Sequence, residues 1–314
     1  MANHTWTFDA PTGTYKSHTM SAELLRAAIA DTVVAPFARV QGDYGRKSGE
    51  SITLGRVSNL SEPTSPVLSE TIRIPEDDLT LTTKAITVQE IGRAVPFTSL
   101  ADDLSRYDIE NVVQRELMKQ MRLSLDTLAA TAVKSGLIKY APTGLTSSTV
   151  TTTGSFGATA TANLNVYHLE EIRDLMYDTY MVPPVEGDDY VGIFRTLGIR
   201  GVKRDPAWEE WHKYTDPMSK YKSEVGRIEG IRLIETNHAN AFSKVGTGSV
   251  LGEGVVFGED AFALAEALTP ELRAAIPSDF GRQRAVAWYG ILKFDVIWDT
   301  ANAGEARIVH VGSA

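Results

Sequence analysis

An α+β fold is what the sequence predicts, and three patterns predict it. Residues 109–135 carry apolar side chains at steps of three and four, the period of a helix lying on a core. Val286, Trp288, Leu292, Phe294, Val296 and Trp298 fall on one side of a period of two, that of a strand with one buried face. Shorter strand-like runs stand in stretches of their own, at 51–57, 71–74, 79–82, 85–91, 190–194 and 230–235.

The bulk numbers bound the class. A chain of 314 residues suffices for about two domains. Hydrophobic residues make up 43% and charged residues 23%, which supports a true core and excludes a disordered chain. No apolar run is long enough to span a membrane. The opening MANHTWTFDAPTGTY lacks a basic stretch followed by an apolar one, so no secretory signal is expected. Cysteine is absent, which excludes disulfides, thiolate zinc sites and a cysteine nucleophile and suits a reducing cytoplasm. The net charge of −9 repels phosphates, so a sequence-specific DNA binder is not expected. The same charge is compatible with enclosing DNA without adhering to it.

Taken in order, residues 1–19 read as an extended polar arm. A short helix is expected over 21–34, with Leu24, Leu25, Ala28 and Ile29 on one face and Pro36 as its stop. The stretch 45–92 is the oddest. Its strand-like pieces are separated by Pro63, Pro66 and Pro75 and have only modest apolar faces, too little to fold alone. Such a hairpin either covers its own domain or lies on a neighbouring subunit.

The best helix spans 109–135. Ile109, Val113, Leu117, Met121, Leu125, Leu128 and Ala132 form its stripe, Asp108 is the N-cap and Gly136 the stop. It reads as a spine laid on a sheet, with its other side in solvent or against a partner. Residues 146–162, TSSTVTTTGSFGATATA, read as a surface loop or irregular hairpin. A second helix is expected over 166–180, capped by Asn165 and stopped by Pro183 and Pro184. Strands follow at 190–194 and 230–235, with DPAWEEWHKY at 205–214 between them, capped by Asp205. VVFGEDAFALAEAL at 255–268 reads as a strand running into a short helix. The C-terminus reads as a hairpin, with a turn at 302–304 leading to a strand at 308–311.

The search for chemistry returns no catalytic, cofactor or metal site. GDYGRKSGES at 42–51 has Arg46 between Gly45 and Lys47, so the phosphate-loop core is missing, and strand-like Ile52, Thr53 and Leu54 follow instead of a helix. His168 and Glu171 share a helix face but have no third ligand. The acidic groups Glu76, Asp77 and Asp78, Asp102 with Asp103, and Asp188 with Asp189 sit where turns and helix starts favour carboxylates. Trp208, Trp211 and Tyr214 could stack a base or sugar, though their spacing also suits packing. Gly246, Thr247, Gly248 and Gly252 miss the dinucleotide fingerprint by one residue.

The order of these elements resembles the major capsid (coat) proteins of tailed bacteriophages. The resemblance covers nearly the whole chain. KSGESITL at 47–54 resembles the opening of that family's extended loop (E-loop), and IGRAVPFT at 91–98 its close. DPAWEEWHKY, EVGRIEGIRLIET at 224–236, VVFGEDAFALAEAL and RAVAWYGILKFDVIW at 284–298 resemble the axial-domain core and closing segments of one branch. The resemblance implies an N-terminal arm with a short helix at 1–44 and an extended β-loop at 45–92. It implies a peripheral (P) domain at 93–145 and 281–314, with the spine helix on a sheet, and an axial (A) domain with a mixed sheet and helices at 146–280.

It further implies a shell subunit and not an enzyme: pentamers and hexamers of an icosahedral shell around phage double-stranded DNA, in the virion, assembled in the bacterial host cytoplasm. Expected partners are other copies of the chain, a separate scaffolding protein, a portal protein and a decoration protein, with no membrane and no sequence-specific DNA contact. The short stretch before the loop is what points to a separate scaffold. Some relatives cross-link a lysine to an asparagine; Lys47 and Lys84 lie in the loop region here without a matched partner. Two alternatives stand beside this: an encapsulin-like bacterial compartment shell, and an acidic hydrolase using Asp102, Asp103, Asp188 and Asp189.

Overall fold

A computed structural model describes residues 30, 32–41, 49–60, 62, 63, 66–68, 70, 73–105, 107–157, 159–208, 223–242, 252–277 and 279–314. The expected helix over 21–34 lies mostly outside them. Its described end is not helical: Val33 and Val34 are buried in irregular backbone ahead of a 3₁₀ turn at Ala35–Phe37 that carries Pro36.

Among the described residues, seventeen named helices and strands carry the fold. They are β1 (Arg39–Val40), β2 (Ser51–Val57), β3 (Leu81–Thr87), β4 (Gln89–Thr98), α1 (Ser99–Leu104), α2 (Ile109–Lys134), β5 (Ile138–Pro142), β6 (Ser148–Thr151) and α3 (Val166–Asp174). They continue with β7 (Tyr190–Arg195), α4 (Arg200–Lys203), β8 (Glu224–Ile228), β9 (Ile231–Thr236), β10 (Gly252–Phe257), β11 (Phe262–Ala274), β12 (Gln283–Val296) and β13 (Ile308–Ser313). Among the described residues these strands form three sheets: a four-stranded one in the order β1-β11-β12-β4, a seven-stranded one in the order β6-β5-β13-β10-β7-β9-β8, and the two-stranded β2-β3.

The spine helix forms as its sequence dictates. The Asp108 side chain accepts the N–H of Asn111 at 3.0 Å, satisfying one orphan donor of the first turn. Lys134 stands in the last turn, where the helix dipole favours a cation. At 1.5 Å per residue the helix runs about 39 Å. Ile109, Val113 and Leu117 pack on Phe97, Val286 and Trp288 of the four-stranded sheet. Trp288 Nε1 donates to Gln120 at 3.2 Å.

The second half corrects the expected stripe. Leu128 is exposed, and Asp126, Ala129, Ala130 and Val133 are buried instead. A step of four turns the helix by about 40° beyond a full circle, so the buried line drifts round the cylinder. Alanines at 129 and 130 let the helix approach Phe257, Phe262 and Phe294 closely.

Two further expectations are corrected. Residues 262–274 form one long strand, where a short helix was expected. Its Ala, Glu and Leu favour helix, but pairing with β1 on one side and β12 on the other overrides that preference. Pro270 falls where the register with β12 shifts, the position a strand interior tolerates for proline. The C-terminal strands are not a hairpin either: β12 pairs with β11 and β4, whereas β13 pairs with β10 and β5 in the other sheet. The turn at 302–304 is present, with Gly304 at φ +80°, but it carries the chain between sheets.

Elsewhere the reading holds with shifted ends. Residues 146–162 contain β6, which pairs with β5 as an irregular hairpin. The helix after Asn165 runs to Asp174 and finishes in a π-type turn at Leu175–Thr179. In the extended stretch, Leu81–Thr87 is one strand, Val88 breaks it, and Arg73 and Ile74 belong to no strand; Thr71 and Ile72 lie outside the described residues. Among the described residues no helix is long and apolar enough to cross a membrane.

Candidate intersubunit interface

The β2-β3 hairpin sits on its own body by one face only. Ile86 is fully buried with Ala263, Ala265 and Ile297, and Ile52, Leu54 and Trp298 close around them. The strand alternation delivers this, since Ile52, Leu54 and Arg56 point one way and Thr53, Gly55 and Val57 the other.

Polar ties reinforce the seat. Arg56 Nη1 donates to the carbonyl of Ile297 at 3.1 Å and pairs with Asp299, and Lys84 Nζ reaches the same carboxylate at 3.1 Å. Two guanidinium groups approach the Trp298 ring, Arg307 at 4.9 Å and Arg56 at 5.9 Å from its centre. Ser58 Oγ donates to Glu305 at 2.8 Å. Burial, the largest single influence on Asp299, would raise its pKa. Hydrogen bonds and charge from Arg56 and Lys84 outweigh it and hold the carboxyl below its ordinary value. The hydrogen bond from Thr300, helped by those from Ser58 and Asn302, lowers Glu305 likewise.

Beyond Ser58 the seat ends. Val57, Leu60, Val67, Leu68, Ile74, Leu79 and Leu81 are each more than half exposed. Isolated exposed apolar residues are ordinary, but a run of them on one projecting stretch marks a contact surface. Glu76, Asp77 and Asp78 are exposed beside them.

Several other residues singled out from the sequence make contacts within the fold. His168 closes a capping box with Asn165, and its Nε2 lies 3.4 Å from the carbonyl of Ser147. Glu171 instead accepts Tyr140 Oη at 2.5 Å and Ser148 Oγ at 2.9 Å, pinning the β5-β6 hairpin to α3. Burial, with the Glu171 bond, pushes the Tyr140 phenol far up. Asp189 lies 2.7 Å from Arg227 and 3.0 Å from Arg232. Asp102 lies 3.7 Å from Arg284. Trp208 is buried in the core beneath the seven-stranded sheet. Trp211, Tyr214, residues 42–48 with Lys47, and Gly246 to Gly248 lie outside the described residues. Among the described residues no group of three or more His, Asp or Glu is placed to hold a metal.

Sequence reasoning missed Asp126. It is wholly buried on the spine helix, accepts the N–H of Val34 at 2.8 Å and of Ala35 at 3.3 Å, and lies 2.9 Å from His238 Nδ1. A carboxylate three residues before an alanine pair, on the face turning toward the core, was the available signal.

No curated protein matches the sequence. The chain is similar in fold to the capsid asymmetric unit of cyanophage Pam1, with a TM-score of 0.72, 16% identity and 98% of each chain covered. It is similar to the head structure of Helicobacter pylori bacteriophage KHP40, with a TM-score of 0.71, 12% identity and 96% of each chain covered. It is similar to the capsid of Ralstonia phage GP4, with a TM-score of 0.66, 14% identity and 98% of each chain covered. At such identities the likeness is one of fold. The sequence profile of the phage capsid family matches residues 17–183, more than half of the chain. This chain therefore belongs to the phage capsid family and is a major capsid shell protein.

Proposed function

We propose that copies of this chain form the pentamers and hexamers of an icosahedral shell around phage double-stranded DNA, each laying the stretch beyond Ser58 on a neighbour. The observation that carries this reading is the run of exposed apolar side chains from Val57 to Leu81, continuous with a hairpin whose base is firmly seated. A shell contact of standard size buries about 1,600 Å². Ordering a projecting stretch on a neighbour costs conformational entropy, which keeps each contact weak enough to correct during assembly. The net charge of −9 favours a lining that does not adhere to the enclosed DNA.

The same proposal covers the rest of the molecule. The arm is 1–44 and the E-loop 45–92. The peripheral domain holds 93–145 and 281–314 around the spine helix, and the axial domain holds 146–280. Strand pairing favours lending 262–274 to the peripheral sheet, and 138–142 and 308–313 to the axial one. The chain works as a structural protein of the virion, without a catalytic or cofactor site. Assembly takes place in the host cytoplasm with a separate scaffolding protein, and portal and decoration proteins complete the particle. Neither a bacterial storage compartment nor an acidic hydrolase finds support beside this reading.

Replacing residues 60–78 by a short glycine linker tests it. The shortened chain should fold, with its melting temperature nearly kept, and should no longer form shells or capsomers. A shortened chain that unfolds, or one that still assembles, contradicts the reading.

A further inference from the structure

Beside the seated hairpin is a cleft of about 190 Å³ lined by Arg39, Gln41, Arg56, Asp260, Trp298 and Arg307, with Leu54, Gly55 and Ile297. Three guanidinium groups face one carboxylate there, in a chain whose overall charge is strongly negative. Arg39 pairs with Asp260 at 2.5 Å, Arg56 with Asp299, and Arg307 Nη1 donates to the carbonyl of Glu259 at 2.9 Å.

These ties leave donors over. Among the described residues, Arg56 Nε, Trp298 Nε1 and Arg307 Nε are buried without a hydrogen-bond partner. All three are donors, and all three belong to residues of this one cleft. A buried donor without an acceptor costs on the order of 1–3 kcal/mol, so an acceptor entering the cleft gains from the side-chain shift that brings these donors to it. Burial lowers the Arg307 pKa, and the carboxylates of Asp260 and Glu259 only partly offset it.

We propose that this cleft receives a carboxylate-bearing segment, residues 76–78 of a second copy of this chain. The inference rests on the shell reading and deepens it by naming where the projecting stretch docks. The projecting stretch carries the complementary charge. Residues 58–80 carry Glu62, Glu70, Glu76, Asp77 and Asp78 against the single cation Arg73. Arg73 is already paired with Glu76, which leaves the two aspartates to meet an outside cation just ahead of β3. All three acidic residues are exposed while the cleft of their own chain keeps its unpaired donors, so the segment is not seated in cis. A carboxylate over a guanidinium fork gains two parallel hydrogen bonds.

The cysteine-free chain makes the test direct. Gln41→Cys is placed in one population and Asp77→Cys in another, and the two are co-assembled from full-length chains. Mild oxidation should give covalent dimers on a non-reducing denaturing gel, since the two Cα atoms would approach within about 7 Å. Shells of either variant alone should give none. A second arm uses Glu76→Gln/Asp77→Asn/Asp78→Asn, which leaves the seated hairpin untouched. It should raise the subunit concentration needed for assembly roughly ten-fold and flatten its salt dependence. Mixed shells without covalent dimers overturn the proposal, as do internally closed monomers of a chain carrying both Gln41→Cys and Asp77→Cys, or a triple variant that assembles like the parent. Those failures leave the shell reading intact. Failure of the unaltered chain to form any shell overturns that reading and this docking site with it.

Discussion

The carboxylate of Asp126, in the middle of the spine helix, accepts the backbone N–H of Val34 at 2.8 Å and lies 2.9 Å from His238 Nδ1. One buried side chain thus ties the end of the N-terminal arm to the helix and to the loop after β9. Thr127 adds a contact at 3.4 Å to the other nitrogen of the same imidazole.

Asp126→Ala should therefore destabilise the chain by about 3 kcal/mol, because it strands a buried amide and a buried imidazole together. Thermal unfolding measures the loss. Limited proteolysis should cut near Val33 and Val34 sooner than in the parent, and equal cutting would show that the arm is held by its apolar contacts alone.

Arg56 makes a comparable prediction for the E-loop. Arg56→Leu keeps an apolar stem but leaves Asp299 with Lys84 alone and the Ile297 carbonyl without its donor. A loss of about 2 kcal/mol is expected. Amide exchange should quicken in β2 and β3 and stay unchanged in the seven-stranded sheet. Uniform quickening would mean that the hairpin is part of the global folding unit.

How much of this was legible in the sequence depends on whether a segment's neighbours are local. The spine helix, Asp108 at its cap and β2 announce themselves, because period and capping are properties of the segment. The strand 262–274 does not, since its helix-favouring residues become a strand only between two partners far away in the chain. Asp126 could be placed on a helix but not given a role, because its ligands lie 92 and 112 positions away. The Arg56–Trp298–Arg307 stack was hidden for the same reason.

A pH dependence follows from His310. Lys139 Nζ lies 3.0 Å from Nδ1, and Nε2 lies 2.7 Å from Glu253 Oε1. A protonated Lys139 can only donate, so Nδ1 accepts and Nε2 carries the proton toward Glu253. Burial, with Lys139 beside it, lowers the His310 pKa below its ordinary 6.5. As pH falls through 6.5 the unfolded chain takes up a proton that the folded one refuses, so stability falls. Burial likewise lowers Lys139 to about 8 from 10.5, so the unfolded chain holds the extra proton between those values and stability rises with pH across that window. Melting temperatures against pH should show both slopes. His310→Phe should remove the acid one and Lys139→Met the alkaline one; slopes unchanged in these variants would place the titration elsewhere.

Close packing of backbones gives a contrast between two glycines. A Cβ at Gly252 would stand 2.2 Å from the nitrogen of Gly198, whereas one at Gly55 would meet nothing within 4 Å. Gly252→Ala should cost more than about 2 kcal/mol by forcing β10 from the turn beside it. Gly55→Ala should be neutral or stabilising by up to about 1 kcal/mol. Denaturant midpoints of the two variants decide it, and equal midpoints would refute the close approach.

Hydrogen exchange of the unassembled subunit against the assembled particle tests the central claim most directly. Amides of Leu60, Val67, Leu68, Ile74 and Leu79 should exchange fast in the free chain and at least ten-fold more slowly in the shell. The β2-β3 pairs should be protected in both. Slow exchange of that stretch already in the monomer, or no slowing on assembly, would contradict a surface completed by neighbouring copies.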